Sequence, residues 1–192
     1  MKLLGVMAIG MALISCLGRD GRAAEIEGVR FVDRLSVGDA ELRLRGMGLL
    51  RHRLFFKGYV AALYLGEGFE GEATSAAVLA DVPRRIEIEY FWSIPADSFA
   101  AITREGIARN VDEGTYRRLE ARIETLSELY ADVEPGDRYS LTYLPGVGTE
   151  LALNGAPRGS VEGSDFSSAL FSLWIGERAL DARLSQQLLA TP

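Results

Sequence analysis

"GLLRHRLFFKGYVAALYL" runs from Gly48 to Leu65, and its second half decides the fold. From Phe55 onward the apolar residues fall on both strand parities. A half-buried strand alternates apolar and polar, so this run predicts a central strand covered on both faces. The first half poses the functional question, because Arg51, His52 and Arg53 stand directly before that run. Either the cations end a strand in solvent, or one of them meets an anion inside a cavity.

The flanking sequence supplies the rest of a sheet. "VRFVDRLSV" leads to a turn at Gly38-Asp39, and "AELRLRG" alternates Leu42 and Leu44 with Arg43 and Arg45. In "RRIEIEYFW", Ile86, Ile88, Tyr90 and Trp92 share one face, and Arg85, Glu87 and Glu89 the other. The period then changes. Ser93 and Pro95 stand where a helix begins, and Phe99, Ile102 and Gly106 follow at helical spacing. Tyr116, Leu119, Ile123, Leu126 and Tyr130 form the stripe of a second helix. "DRYSLTYL" alternates again, and "GTELALNGAPRGSV" predicts a hairpin turning at Asn154-Gly155. "SDFSSALFSLWIG" is a helix that Asp165 caps at its start and Gly176 ends, and Leu180, Leu184 and Leu188 mark the last one. Strands, a short helix, a strand, two helices, three strands and two helices make an α+β domain. Its sheet is large and mostly antiparallel, with helices layered on one face.

With 192 residues, 48% apolar and 25% charged, the chain can build one ordinary core. Its charge of −6 and the lack of a basic block argue against nucleic acid as a partner. "MKLLGVMAIGMALISCLG" has a lysine before an apolar run and reads as an export signal, with a cut after Ala23. Residues 1–23 are then leader and 24–192 one domain, with a periplasmic or secreted destination. "LISC" leaves a second reading, in which Cys16 is lipidated and the protein is anchored to a membrane.

Much familiar chemistry is absent from the sequence. His52 is the one histidine and Cys16 the one cysteine, which disfavours a zinc or iron site. No nucleophile elbow or phosphate loop occurs, and "GMGLLR" lacks the third glycine and the helix of a dinucleotide fingerprint. No cofactor is expected. Glu162 and Asp165 could pair in acid/base work, against the capping role for Asp165.

Three segments together, "GLLRHRLFFKGYVAALYL", "YLPGVGTELALNG" and "VEGSDFSSALFSLWIG", resemble the chalcone isomerase superfamily, and within it the secreted bacterial chalcone isomerase-like branch. The resemblance covers nearly all of residues 27 to 189 and implies an open-faced β-sandwich. Carried over position by position, the family's site arginine falls on Arg51 and its threonine on Tyr59. The helix tyrosine falls on Phe99, the asparagine seven residues later on Gly106, and the late polar position on Leu173. Only the arginine survives. Cyclising a chalcone needs polar groups that hold an enolate and its attacking phenolate. Side chains of Phe, Gly and Leu donate no hydrogen bonds, so isomerase activity on chalcones is not expected.

Non-catalytic plant members of this superfamily bind fatty acids in the same cleft, with the arginine on the carboxylate. The resemblance therefore implies a small amphipathic acid as partner, its body among Phe55, Tyr59, Phe99, Leu173 and Trp174. Arg51 would anchor the acid group. The alternative for Arg51 is a structural ion pair with Glu87 or Glu89. Two rival functions stay open. One is an isomerase-type enzyme using Tyr59, Tyr64 or Tyr143 as the acid beside Arg51. The other is an accessory protein with a filled core and an exposed apolar patch.

Overall fold

The structure, a computed structural model, describes residues 23–52 and 56–190. Phe55, Arg53 and Cys16 lie outside the described residues. Strands β1 (Ala23–Ile26) and β2 (Val29–Val32) form a hairpin of their own. The large sheet runs in chain order through β3 (Arg34–Val37), β4 (Ala40–His52), β5 (Phe56–Gly66), β6 (Arg84–Tyr90), β7 (Arg138–Leu144), β8 (Gly148–Leu153) and β9 (Ala156–Val161). Every pairing in it is antiparallel. The helices are α1 (Ser75–Leu79), α2 (Ala96–Asn110), α3 (Glu113–Leu129), α4 (Ser164–Ile175) and α5 (Ala182–Leu189). The order is the one expected from the changes of period.

Strand β5 is covered on both faces, as its two apolar parities require. Ala61, Leu63 and Leu65 belong to the core under the helices, with Ile107, Phe166 and Leu170. Val60, Ala62 and Tyr64 pack with Val29, Phe31 and Leu42 beneath the β1–β2 hairpin. Each buried valine, leucine, isoleucine or phenylalanine among them contributes about 1.5–3 kcal/mol, so both layers hold the sheet.

Local chemistry sets the exceptions. "VRFVDRLSV" is not one strand: the chain leaves the hairpin at Val32 and joins the large sheet only at Arg34. The pairing register of β4 shifts between Leu44 and Gly46, and such a bulge re-aims the residues that follow. Gly46 and Gly48 then form the floor for α5. A Cβ at 46 would lie 2.5 Å from the carbonyl oxygens of Gln187 and Leu188, and one at 48 would lie 2.6 Å from Leu184 Cδ1. The "GMG" of the sequence is therefore a helix seat, not a ligand loop.

Trp92 does not share the inward face of β6. The strand ends at Tyr90, and Trp92 is 53% exposed, with its indole N–H donating to the Lys57 carbonyl. Asp165 does not cap α4 through its side chain either. Gly163 holds that position at φ 104°, and the Asp165 carboxylate grips Arg122 of α3 through two bonds of 2.7 Å. Helix α2 is capped from outside its own turn, since the Asp132 carboxylate accepts the Ala96 N–H at 2.8 Å.

Candidate functional site

The seam between the sheet and helices α2 and α4 holds the chemistry of interest. Along α2, Phe99, Thr103, Gly106 and Ile107 are buried at a spacing of three, four and seven, which turns one stripe toward the sheet. Alternation along β6 sends Ile86, Ile88 and Tyr90 up to meet it. The last turn of α4 closes the seam with Leu173 and Trp174. A void of about 40 Å³ remains, walled by Tyr90, Phe99, Thr103, Tyr130, Leu173 and Trp174. It reaches solvent beside Ile102, which lines it and is 45% exposed.

Aromatic packing explains why so little space is left. Phe99 stacks on Tyr130 at 5.4 Å and meets Tyr90 and Tyr139 edge-on, each at 5.3 Å. Tyr59 joins through an edge contact with Tyr90 at 5.8 Å. Such geometries add about 0.5–1.5 kcal/mol per pair beyond area burial. Leu173 fills the position facing Gly106, where a Cβ would lie 2.5 Å from Leu173 Cγ. The cleft that the resemblance makes polar is here packed with hydrocarbon.

Two pairs of polar groups at its walls are hydrogen-bonded to each other. The Trp174 indole donates to the Tyr59 hydroxyl at 3.2 Å, and the Thr103 and Tyr130 hydroxyls share a bond of 2.9 Å. Tyr139 donates to the Ala131 carbonyl and accepts its N–H, fixing the chain after α3. Burial pushes Tyr130 up to about 12 and raises Tyr59 and Tyr90 as well. These phenols stay neutral at any physiological pH. No charged side chain among the described residues lines the void.

Of the expected site residues, the structure brings together Tyr59, Phe99, Leu173 and Trp174. It does not bring Arg51 to them. The Arg51 guanidinium is 44% exposed and binds Glu27 at 3.2 Å, with Lys57 on the other carboxylate oxygen at 2.6 Å. Glu27 sits in the β1–β2 turn at φ 53°, on the face away from the helices. The lysine contact, foremost, holds its carboxyl below the usual range. A buried Arg51 is therefore corrected to a surface clamp on the hairpin turn. The alternative partners are corrected too, because Glu87 is held by Arg85 and Arg138, and Glu89 by Arg138. Neither of the other candidate acids reaches Arg51 over a shared pocket. Tyr64 lies under the hairpin, and Tyr143 donates to Asp81.

Among the described residues, the buried arginine is Arg84. It is fully buried, donates to the carbonyls of Val78 and Ala80 at the end of α1, and reaches Ser167 Oγ at 2.7 Å. Its guanidinium lies 4.7 Å from the Tyr143 ring centroid and 4.9 Å from that of Phe171. Burial pulls its pKa down to about 10. The signal was in the alternation of β6, since Arg84 shares the parity of Ile86 and Ile88.

Comparison with known proteins agrees with this architecture. A family model described as chalcone isomerase-like matches residues 23–190. The chain belongs to that family. A crystal structure of a fatty-acid binding protein from Arabidopsis thaliana superposes with a TM-score of 0.69 at 18% identity, covering 88% of this chain and 96% of the plant chain. At that identity the match shows a chalcone isomerase-like fold. No curated protein matches the sequence.

Proposed function

We propose that this protein is a non-catalytic carrier or sensor of a small amphipathic molecule of the fatty-acid type. The acyl or aryl body would occupy the seam around Phe99, Tyr130, Leu173 and Trp174. The observation that carries this reading is an aromatic-walled void open to solvent beside Ile102, with the Trp174–Tyr59 hydrogen bond at its border. The fatty-acid binding described for the plant structure supports the same class of ligand.

A void of about 40 Å³ is well below the ~300 Å³ at which ligand pockets begin. Binding therefore requires rotation of Trp174 or Phe99, or an outward shift of α2. An Arg51 anchor would need that side chain to leave Glu27 and cross to the helix side. Catalysis as an isomerase has less support, because Phe99, Gly106 and Leu173 offer no polar group to the reacting atoms. We also read the protein as exported, on the strength of Lys2 and the apolar run to Leu17, with lipidation at Cys16 as the second outcome.

Native mass spectrometry and extraction of the purified protein test this reading, with Ile102→Trp as the blocking variant. Ile102 is exposed, so the bulkier ring closes the mouth without repacking the core. An amphipathic molecule carried by wild type and Arg51→Ala, and lost in Ile102→Trp, is the expected result. Wild type that carries none, and takes up no added octanoic acid or octanol, would overturn it in favour of an accessory protein acting through its surface. Sequencing the mature N-terminus settles export: a start at Ala24 supports a cleaved leader, and an intact Met1 refutes it.

A further inference from the structure

We infer that the seam recognises its ligand with an uncharged head group, a hydroxyl, an ester or an un-ionised carboxyl, and rejects the carboxylate. This rests on the binding reading above and narrows its chemistry. A buried anion must find a cation or several donors, since an unpaired charge in a low-dielectric site is strongly disfavoured. The described walls provide no cation. Among the described residues, Arg51 is bound to Glu27, Arg84 to the end of α1, Arg104 to Glu124, and Arg138 to Glu87 and Glu89.

Each element facing the seam contributes neutral groups. Strand β6 brings Tyr90, β7 brings Tyr139, α2 brings Thr103, the chain after α3 brings Tyr130 and α4 brings Trp174. The Thr103 and Tyr130 hydroxyls both line the void and share one bond, so the proton of whichever one accepts is free to be donated to a ligand oxygen. A hydroxyl or carbonyl head can accept that single bond without bringing a charge into the seam.

Isothermal titration of the purified protein with octanol, methyl octanoate and octanoic acid at pH 5 and pH 8 tests this. Octanol and the ester are expected to bind alike at both pH values. The acid is expected to weaken about a hundredfold or more from pH 5 to pH 8, because only its un-ionised fraction competes for the site. Thr103→Val combined with Tyr130→Phe removes both hydroxyls of that pair while keeping their shapes, and is expected to weaken octanol about three- to tenfold. Octanoate that binds at pH 8 as tightly as at pH 5, or displaces octanol there, overturns the inference and leaves the binding function standing. Failure of all three probes at both pH values overturns the binding function and this inference with it.

Discussion

Gly106 and Leu173 give the sharpest test of how the cleft is filled. A Cβ at 106 would meet Leu173 Cγ at 2.5 Å and its two δ-carbons at 2.9 and 3.0 Å. Gly106→Ala alone gains about 1 kcal/mol of helix propensity but overpacks the seam at a cost of about 1–3 kcal/mol. The net expectation is a loss of up to about 2 kcal/mol. Leu173 is 1% exposed, so Leu173→Ala alone should lose about 2–5 kcal/mol by opening a cavity joined to the existing void. In the double variant the new methyl enters the space that the leucine vacated. The clash is gone and part of the cavity is refilled. The double variant should therefore be more stable than the sum of the singles by about 1–3 kcal/mol. Urea unfolding of the four proteins, with m unchanged across the set, reads the coupling directly. Additivity within about 0.5 kcal/mol would mean that the two residues do not share one space, and the account of a hydrocarbon-filled cleft would fail.

Arg84→Met keeps the length of the side chain but leaves the α1 carbonyls and Ser167 without their donor, and should lower stability by about 2–4 kcal/mol; a change below 0.5 kcal/mol in urea unfolding would refute its role. Gly46→Ala should release α5 from the sheet, seen as faster amide exchange from 182 to 189 with β6 and β7 unchanged, whereas unaltered exchange would contradict the glycine seat. The Asp165 carboxyl is held below its ordinary 3.8 mainly by its hydrogen bonds to Arg122. Its contribution is present above that value and lost as pH falls through the lower folded pKa. The pair is partly exposed, so the effect is under about 1 kcal/mol. Arg122→Ala should remove that part of the acid-induced loss of stability, and an unchanged pH profile below 4 would refute the pairing.

The sheet and helices were legible in the sequence because burial imposes a period on it. The two apolar parities of β5, the alternation of β6 and the stripe of α3 each need one covered face or two, and the structure supplies those faces. Asn154 and Gly155, at φ 51° and 78°, form the expected hairpin turn. What the sequence concealed depended on contacts between distant residues. The bulge after Leu44 that aims Gly46 at α5 has no local signature, and neither does the Asp132 cap on α2. Arg51 shows the limit most clearly. Its position on the strand agrees with the resemblance, but the direction of its side chain depends on Glu27 and Lys57, which only the hairpin fold brings close. Arg84 hides in the sequence because arginine is so seldom fully buried, although its parity on β6 points inward.

The most direct test uses the tryptophans as reporters. The chain has two, so Trp92→Phe leaves Trp174 as the single emitter, placed at the wall of the void and bonded to Tyr59. Titration of that variant with octanol at pH 8 should shift and saturate the Trp174 emission at one ligand per chain, and Ile102→Tyr in the same background blocks the mouth without adding a tryptophan. Ile102→Tyr should weaken the response at least tenfold. Emission that stays unchanged up to the solubility limit of octanol, or a change that Ile102→Tyr leaves intact, would contradict a ligand site in the seam.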